Sequence, residues 1–497
     1  AVAAGLADSV PDVLAHGTTV ATNALLERRG ARVALVTDPG FEDVIEIARQ
    51  NRPSLYDPFA DRPEPLVPRH RRVAVEHELP DDTDAVAVCL LHADLHPERE
   101  QEVAATLAGD VTCSHEISPE FREYERTSTT VINAYLRPVC RDYLRRLEPL
   151  AHQVLVMTSA GGLVPLHDAA DRPAALLLSG PAAGVLAGAS AAVAAGFPDA
   201  VTFDMGGTST DVCLVLDGRP APAAQRTVDG FPVRLPSLDV HTIGAGGGSI
   251  AHVDASGMLR VGPESAGATP GPICYARGGT RPTITDANVV LGRLDPDRLL
   301  AVDRGVSLAT IEAALVEQVG APLGLDATAA ALAIVRVAND RMAGAIRMVS
   351  LARGHDPRDF ALFAFGGAGP LHAAALAKEL GIPKVLIPAR PGLTNALGCL
   401  VADLRHDFVA TINQPLEALP PDRIGATFAA QIAAGRALLE RENVAVERIE
   451  TLHRADMQFQ GQSHILPVPI ASTAITLDEL RAAFAAAYWK RFAVELP

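Results

Sequence analysis

The feature that most restricts what this chain can become is Val201-Thr202-Phe203-Asp204-Met205-Gly206-Gly207-Thr208-Ser209-Thr210-Asp211. It reads as an apolar strand, an aspartate, two glycines, three hydroxyl residues, a second aspartate and a second apolar strand. Glycine lacks the Cβ that would keep a bulky anion off the backbone. Successive N–H groups in such a turn form an anion-binding nest. Gly206, Gly207, Thr208 and Thr210 are therefore expected to cradle phosphate, the threonines through their hydroxyls. Asp204 ends its strand where a carboxylate can hold a hydrated Mg²⁺, an ion that keeps several waters and takes few carboxylates. Asp204 and Asp211 are the candidate catalytic carboxylates. The plain alternative is a tight hairpin whose acids only bond to their own turn.

Two neighbouring stretches bear on that choice. Upstream, Leu178-Ser179-Gly180-Pro181-Ala182-Ala183-Gly184-Val185-Leu186-Ala187-Gly188 reads as a helix with proline in its first turn. Its small residues allow close approach to another backbone. Downstream, Phe363-Ala364-Phe365-Gly366-Gly367-Ala368-Gly369-Pro370 ends a strand in glycines and opens a helix. Gly366, Gly367 and Gly369 there suit the base and ribose of a nucleotide. In order, the three stretches resemble the interdomain-helix, second-phosphate and adenosine motifs of the actin, sugar-kinase and Hsp70 ATPases. That resemblance implies an α/β fold of two domains, actin-like (ribonuclease H-like), here followed by a mixed C-terminal domain.

The remaining pattern suits α/β layers. Arg32–Thr37, Ala85–Leu91, Gln153–Thr158, Phe360–Phe365 and Lys384–Ile387 read as strands. Phe41–Gln50, Ala327–Leu351 and Leu371–Leu380 read as helices, with Asp326 as an N-cap. Residues 51 to 72 are a proline-rich surface excursion, and residues 231 to 262 are short strands around a GAGGGS loop. The expected domains are 1–140, 141–405 and 406–497. With 497 residues and 48% apolar composition the chain can bury large cores without disulfides. Six scattered cysteines imply reduced thiols and a cytoplasmic setting. A net charge of −16 without a basic run argues against nucleic acid and against anionic membranes. No run of apolar residues is long enough to suggest a membrane span.

Closer likeness lies in other blocks. His16-Gly17-Thr18-Thr19-Val20-Ala21-Thr22-Asn23-Ala24-Leu25-Leu26-Glu27-Arg28 is similar to the amino-terminal signature of hydantoinase A and 5-oxoprolinase. So are Phe41–Pro53 with Tyr56-Asp57, Ile243–Ala251, Val261–Pro272, Thr283–Asn288, Arg390–Gly398 and Gly461–Ser463. The chain thus resembles the hydantoinase A/5-oxoprolinase family over nearly its whole length. The resemblance implies ATP and Mg²⁺ as cofactors and a small cyclic amide as substrate. It also implies a B-type subunit as partner and an oligomeric assembly. Related members carboxylate ketones, and that is the rival reaction. A non-catalytic remnant of the ATPase fold and a small-molecule kinase are further alternatives. Family members open with an earlier DxGGTxTD hairpin that precedes the HGTT block. The chain is expected to be cut short before that block and at its C-terminal end, and alone to be poorly soluble and a poor ATPase.

Several residues keep two readings. His16 and Thr19 face a substrate or belong to a helix-capping cluster. Gly246, Gly247 and Gly248 line the nucleotide cleft or form a simple bend. Asp286 caps a helix or contacts the cleft. His372 reads as structural. His241, His252 and Asp254 have no recognised ligand spacing, so no transition metal is expected.

Overall fold

The computed structural model describes residues 10–299, 302, 306–442, 444, 446–462 and 464–495. Ser463, part of one of the sequence blocks above, lies outside them.

Ala200–Met205 and Thr210–Leu216 are rich in β-branched and apolar residues and nearly all buried. They pair antiparallel and form the middle of a six-stranded sheet. Ala361–Phe365 adds parallel to Ala200–Met205, and Lys384–Leu386 adds parallel beyond it. His241–Ile243 and Arg219–Pro220 complete the sheet along Thr210–Leu216. The turn at Asp217-Gly218 has both residues at positive φ, 50° and 76°, as a two-residue hairpin of this twist requires.

Successive side chains along a strand face opposite sides, so each face has its own cover. Val201, Phe203, Met205, Val212 and Leu214 join one core with Ile334, Ala338, Met342 and Leu376. These come from the helices Ala327–Val349 and Gly369–Leu380. Asp326 caps the first of them by accepting from Ala329 N at 2.7 Å. Ala200, Val215 and Phe363 pack on the other side with Ala189 and Ala192 of the helix Ser179–Ala194. Asp204 and Asp211 belong to this second face, in phase with Ala200 and Val215.

The small residues of Ser179–Ala194 have the consequence expected of them. A Cβ on Gly188 would lie 2.8 Å from Thr202 Cγ2. The neighbouring helix Thr394–Val401 comes closer still, and a Cβ on Gly398 would meet Ala183 O.

The other layers are separate. Val13–His16 pairs parallel with Gln153–Met157, which pairs antiparallel with Leu163–Pro165. Arg72–Ala74, Val33–Thr37, Ala85–Val88 and Val111–Cys113 form a parallel four-stranded sheet. The helix Glu123–Arg145 is packed with both. A third core joins Phe428, Val468, Ile470, Leu480 and Phe484 from residues beyond 405.

Two details differ from the sequence pattern. The helix expected over Phe41–Gln50 is a single turn, Val44–Ile47. Ala48 and Gln50 take φ of 52° and 54°, a left-handed geometry that ends a right-handed helix. The division expected at residue 140 falls inside the continuous helix Glu123–Arg145. The six cysteines are free and buried. Among the described residues no single helix is long and apolar enough to cross a membrane.

Candidate active site

The antiparallel register sets Asp204 directly opposite Asp211. Two carboxylates so placed lie on one face about 5 Å apart at Cβ. Asp204 Oδ2 accepts from Asn395 Nδ2 at 3.0 Å, and Asp211 Oδ1 accepts from the Thr242 hydroxyl. The other oxygen of each has no protein hydrogen bond among the described residues. Burial pushes both acids up. Asp211 reaches about 6, because burial and then the nearby Asp204 charge outweigh the Thr242 bond. Asp204 is raised by burial against the opposing Asn395 bond. A close pair of carboxylates, each with one open oxygen and no basic partner, is a set of hard donors suited to a hydrated divalent cation.

The turn between them is open on its outer side. Gly206 N donates to Ser209 O at 3.1 Å and closes it. The N–H groups of Gly207, Thr208 and Ser209 have no protein partner among the described residues, and Gly207 and Thr208 are exposed. Three adjacent unpaired donors beside two carboxylates make an anion nest next to a cation site.

Thr210 is placed otherwise than its expected phosphate role requires. It is fully buried, its side chain points to the opposite face from Asp211, and its hydroxyl donates to Ala245 O. The period of two along the strand turns it inward.

Gly246, Gly247 and Gly248 also correct an expectation. They are buried behind the turn, and their N–H groups are spent inside the protein. Gly247 N donates to Gly206 O at 3.0 Å and Gly248 N to Gly207 O at 2.7 Å. Gly246 N donates to Ser249 Oγ at 2.9 Å. These glycines brace the phosphate turn. A Cβ on Gly246 would stand 2.6 Å from the Thr208 backbone, which is why glycine is needed there.

The glycine loop after Ala361–Phe365 abuts the same carboxylate. Gly366 has φ of 80°, and a Cβ there would lie 2.3 Å from Asp204 Oδ1. Ala368 N donates to Met205 O at 2.9 Å. Gly367 is exposed, with open space where a Cβ would point. Gly369 is buried against Phe203 O, so it serves packing and the start of the helix.

His16 and Thr19 share no hydrogen bond with the hairpin. His16 Nε2 lies 2.8 Å from the Tyr143 hydroxyl, and burial lowers its pKa. Thr19 is exposed and weakly bonded to Asn23, at 3.4 Å. The rest of the HGTT block ties itself to the helix Ser179–Ala194. Ser179 Oγ donates to Thr18 O, and Thr22 Oγ1 accepts from Leu178 N. Asp286 forms a capping box with Thr283 and also accepts from Ile273 N and Cys274 N. His372 is fully buried between Asn339 and Asn288, and burial drives its pKa to about 4. Asn395 and Thr242 are the site residues that sequence reasoning missed. Asn395 stood in a recognised block, but nothing local to it points to Asp204, 191 residues away.

A mixed α/β sheet carrying an Asp-Gly-Gly hairpin, a small-residue helix beneath it and a glycine loop beside it defines an actin-like ATPase-type two-domain fold. Residues 126–408 match the family model for hydantoinase/oxoprolinase, and residues 3–82 match that for the hydantoinase/oxoprolinase N-terminal region. The chain belongs to the hydantoinase/oxoprolinase family. It is 34% identical to the caprolactamase subunit alpha of Pseudomonas jessenii, over 95% of this chain and 73% of that one. The crystal structure of the ATP-dependent caprolactamase from Pseudomonas jessenii superposes with a TM-score of 0.86 at 34% identity, covering 98% of this chain and 76% of that chain. A nucleotide-free acetone carboxylase structure gives 0.72 at 25% identity, covering 97% and 76%. The 5-oxoprolinase 1 of Arabidopsis thaliana is 33% identical over 79% of this chain, which spans 36% of that protein.

Proposed function

We propose that this chain is the ATP-handling part of an enzyme that opens a cyclic amide. The observation that carries the reading is the Asp204–Asp211 pair flanking the unpaired N–H groups of Gly207, Thr208 and Ser209. An amide resists water because resonance strengthens its C–N bond. Attack of the amide oxygen on the γ-phosphorus breaks the bond to the bridging oxygen and releases ADP. Water then adds at the activated carbon and loses a proton. The ring C–N bond breaks, and the nitrogen takes up a proton. A second water cleaves the acyl phosphate to carboxylate and phosphate.

In this reading the N–H groups of residues 207–209 hold phosphate oxygens, and Gly366 and Gly367 border the nucleoside. Asp204 and Asp211 would hold Mg²⁺ through water, which would supply charge neutralisation at the phosphates. Fixed donors aimed at developing charge are the protein's main means of accelerating such a transfer. The names of the relatives support the choice: caprolactamase and 5-oxoprolinase act on lactams. The word subunit in the caprolactamase name supports a second, B-type chain as partner. The acetone carboxylase likeness favours a second reading, in which the same phosphorylation activates a ketone for carboxylation.

The test is phosphate release from MgATP by this chain, alone and with a B-type subunit. Stimulation by hydantoin, 5-oxoproline or caprolactam, lost in Asp204→Asn, is the expected result. Stimulation only by a ketone with bicarbonate moves the protein to the carboxylase branch, and stimulation only by a sugar rejects both readings.

A further inference from the structure

The parallel four-stranded sheet ends in a cluster of unlike donors. Its strands Ala85–Val88 and Val111–Cys113 run side by side, and Cys113 is the last residue of the second. The crevice beyond the carboxyl ends of parallel strands is where open α/β sheets receive ligands. There Glu100, from the helix Glu98–Thr106, meets Cys113 and His115. A carboxylate oxygen, the thiol sulfur and an imidazole nitrogen all lie within 4.8 Å of one another. The cluster belongs to a different sheet from Asp204 and Asp211. Twelve residues separate Glu100 from Cys113 and one separates Cys113 from His115. That spacing matches no recognised ligand pattern, so only the fold brings the three together.

Glu100 is completely buried. Its Oε1 accepts from Leu90 N at 2.9 Å and from the Ser114 hydroxyl at 2.6 Å. Its Oε2 accepts from His115 N at 2.9 Å and lies 2.7 Å from His115 Nδ1. The first three bonds fix the carboxylate, as outer-shell donors do for a carboxylate that ligates a metal. The fourth is of another kind, because its proton lies between an oxygen and a nitrogen that are both metal ligands. Cys113 Sγ makes only a long contact with Glu100 O, at 3.9 Å. The His115 side chain keeps 11% exposure, so the cluster has one side toward solvent. Oxygen, nitrogen and sulfur in one set suit zinc, whereas Mg²⁺ takes oxygen alone.

We propose that Glu100 Oε2, Cys113 Sγ and His115 Nδ1 form a zinc site, with water as fourth ligand on the open side. The proposal departs from the expectation of no transition metal, which rested on other histidines, and it does not depend on the lactam reading. On binding, the ion replaces the protons of the Cys113 thiol and of His115 Nδ1, which pass to water. Burial and the Glu100 charge push the free thiol up to about 12, so the ion itself must draw off that proton, as a coordinating metal does. Bound zinc then ties the end of Val111–Cys113 to the helix Glu98–Thr106 and stabilises the sheet.

The test is titration of the full chain, first stripped with a chelator, with zinc chloride and with cobalt chloride. One ion binds per chain. Cobalt gives a thiolate-to-metal charge-transfer absorption, and zinc displaces the cobalt. Zinc raises the thermal midpoint, and Mg²⁺ does not abolish or reproduce these effects. Cys113→Ser removes the charge-transfer absorption and weakens zinc binding at least about tenfold, the loss expected when a ligand is removed from a metal site. His115→Ala, at the solvent side, weakens it similarly and serves if Cys113→Ser fails to fold. Cys140→Ser, at a buried thiol outside the cluster, leaves absorption and affinity unchanged. No thiolate absorption in the parent, an absorption that survives Cys113→Ser, or zinc affinity unchanged in His115→Ala overturns the proposal. Phosphate release is no part of this readout, so failure here leaves the lactam reading intact.

Discussion

Replacing Asp211 by asparagine is expected to stabilise the protein while abolishing nucleotide-dependent activity. Asp211 sits opposite Asp204, and its pKa is raised from 3.8 to about 6. A raised carboxyl pKa means that the folded state binds more protons than the unfolded one between those two values. Stability contributed by the neutral acid is therefore lost as pH rises through that window, and stays lost above it. The shift of roughly two units corresponds to about 3 kcal/mol at pH values near 8. Solvent reaching the open side of the turn reduces this to about 2 kcal/mol, since screening weakens both burial and repulsion. Near pH 5 the unfolded acid is ionised and the folded one mostly neutral, so only about half the penalty remains.

Asparagine keeps an acceptor for Thr242 and carries no charge at any pH. Urea unfolding of parent and Asp211→Asn should thus differ by about 2 kcal/mol near pH 8 and by about half that near pH 5. The variant should show no MgATP hydrolysis. A difference that is absent, reversed or independent of pH would refute the raised pKa and the crowded carboxylate pair behind it.

Gly246→Ala should cost about 1–3 kcal/mol, because a methyl forced against the Thr208 backbone must displace the turn. Calorimetry with ADP should then show weakened binding, although no side chain of the turn has changed; undiminished affinity would remove Gly246 from its bracing role. His372 has the opposite pH signature to Asp211. Its pKa falls from 6.5 to about 4, so the unfolded state takes up a proton before the folded one does. Stability is lost as pH drops through that window, by about 2 kcal/mol between roughly pH 7 and 5. His372→Gln should flatten this part of the stability profile, and an unchanged slope would show that the imidazole is not held neutral.

Much of the fold was legible because its signals are local. Asp204-Met205-Gly206-Gly207 announces a strand running into an open turn, since paired glycines after an apolar run break the strand and leave the backbone bare. Ala183, Gly184, Ala187 and Gly188 announce a helix that another backbone can approach. Asp326 and the apolar repeat after it announce the helix Ala327–Val349. These assignments need only the period of the pattern and the geometry of one turn. The short helix at Val44–Ile47 was not legible, because it ends on positive φ at Ala48, a conformation that alanine itself does not predict.

The sequence by itself determined the strand pair, the glycine turn and the two acids, because a hairpin is closed by residues that are neighbours in the chain. Which donors the turn keeps open was decided only by the tertiary structure. Register turned Thr210 inward, and packing spent the N–H groups of Gly247 and Gly248 on the carbonyls of Gly206 and Gly207. The same holds for Asn395 on Asp204 and Thr242 on Asp211. Each of these joins segments far apart in sequence. Hydrogen bonding acts over about 3 Å of space, and local pattern carries no record of which distant groups folding brings within that reach.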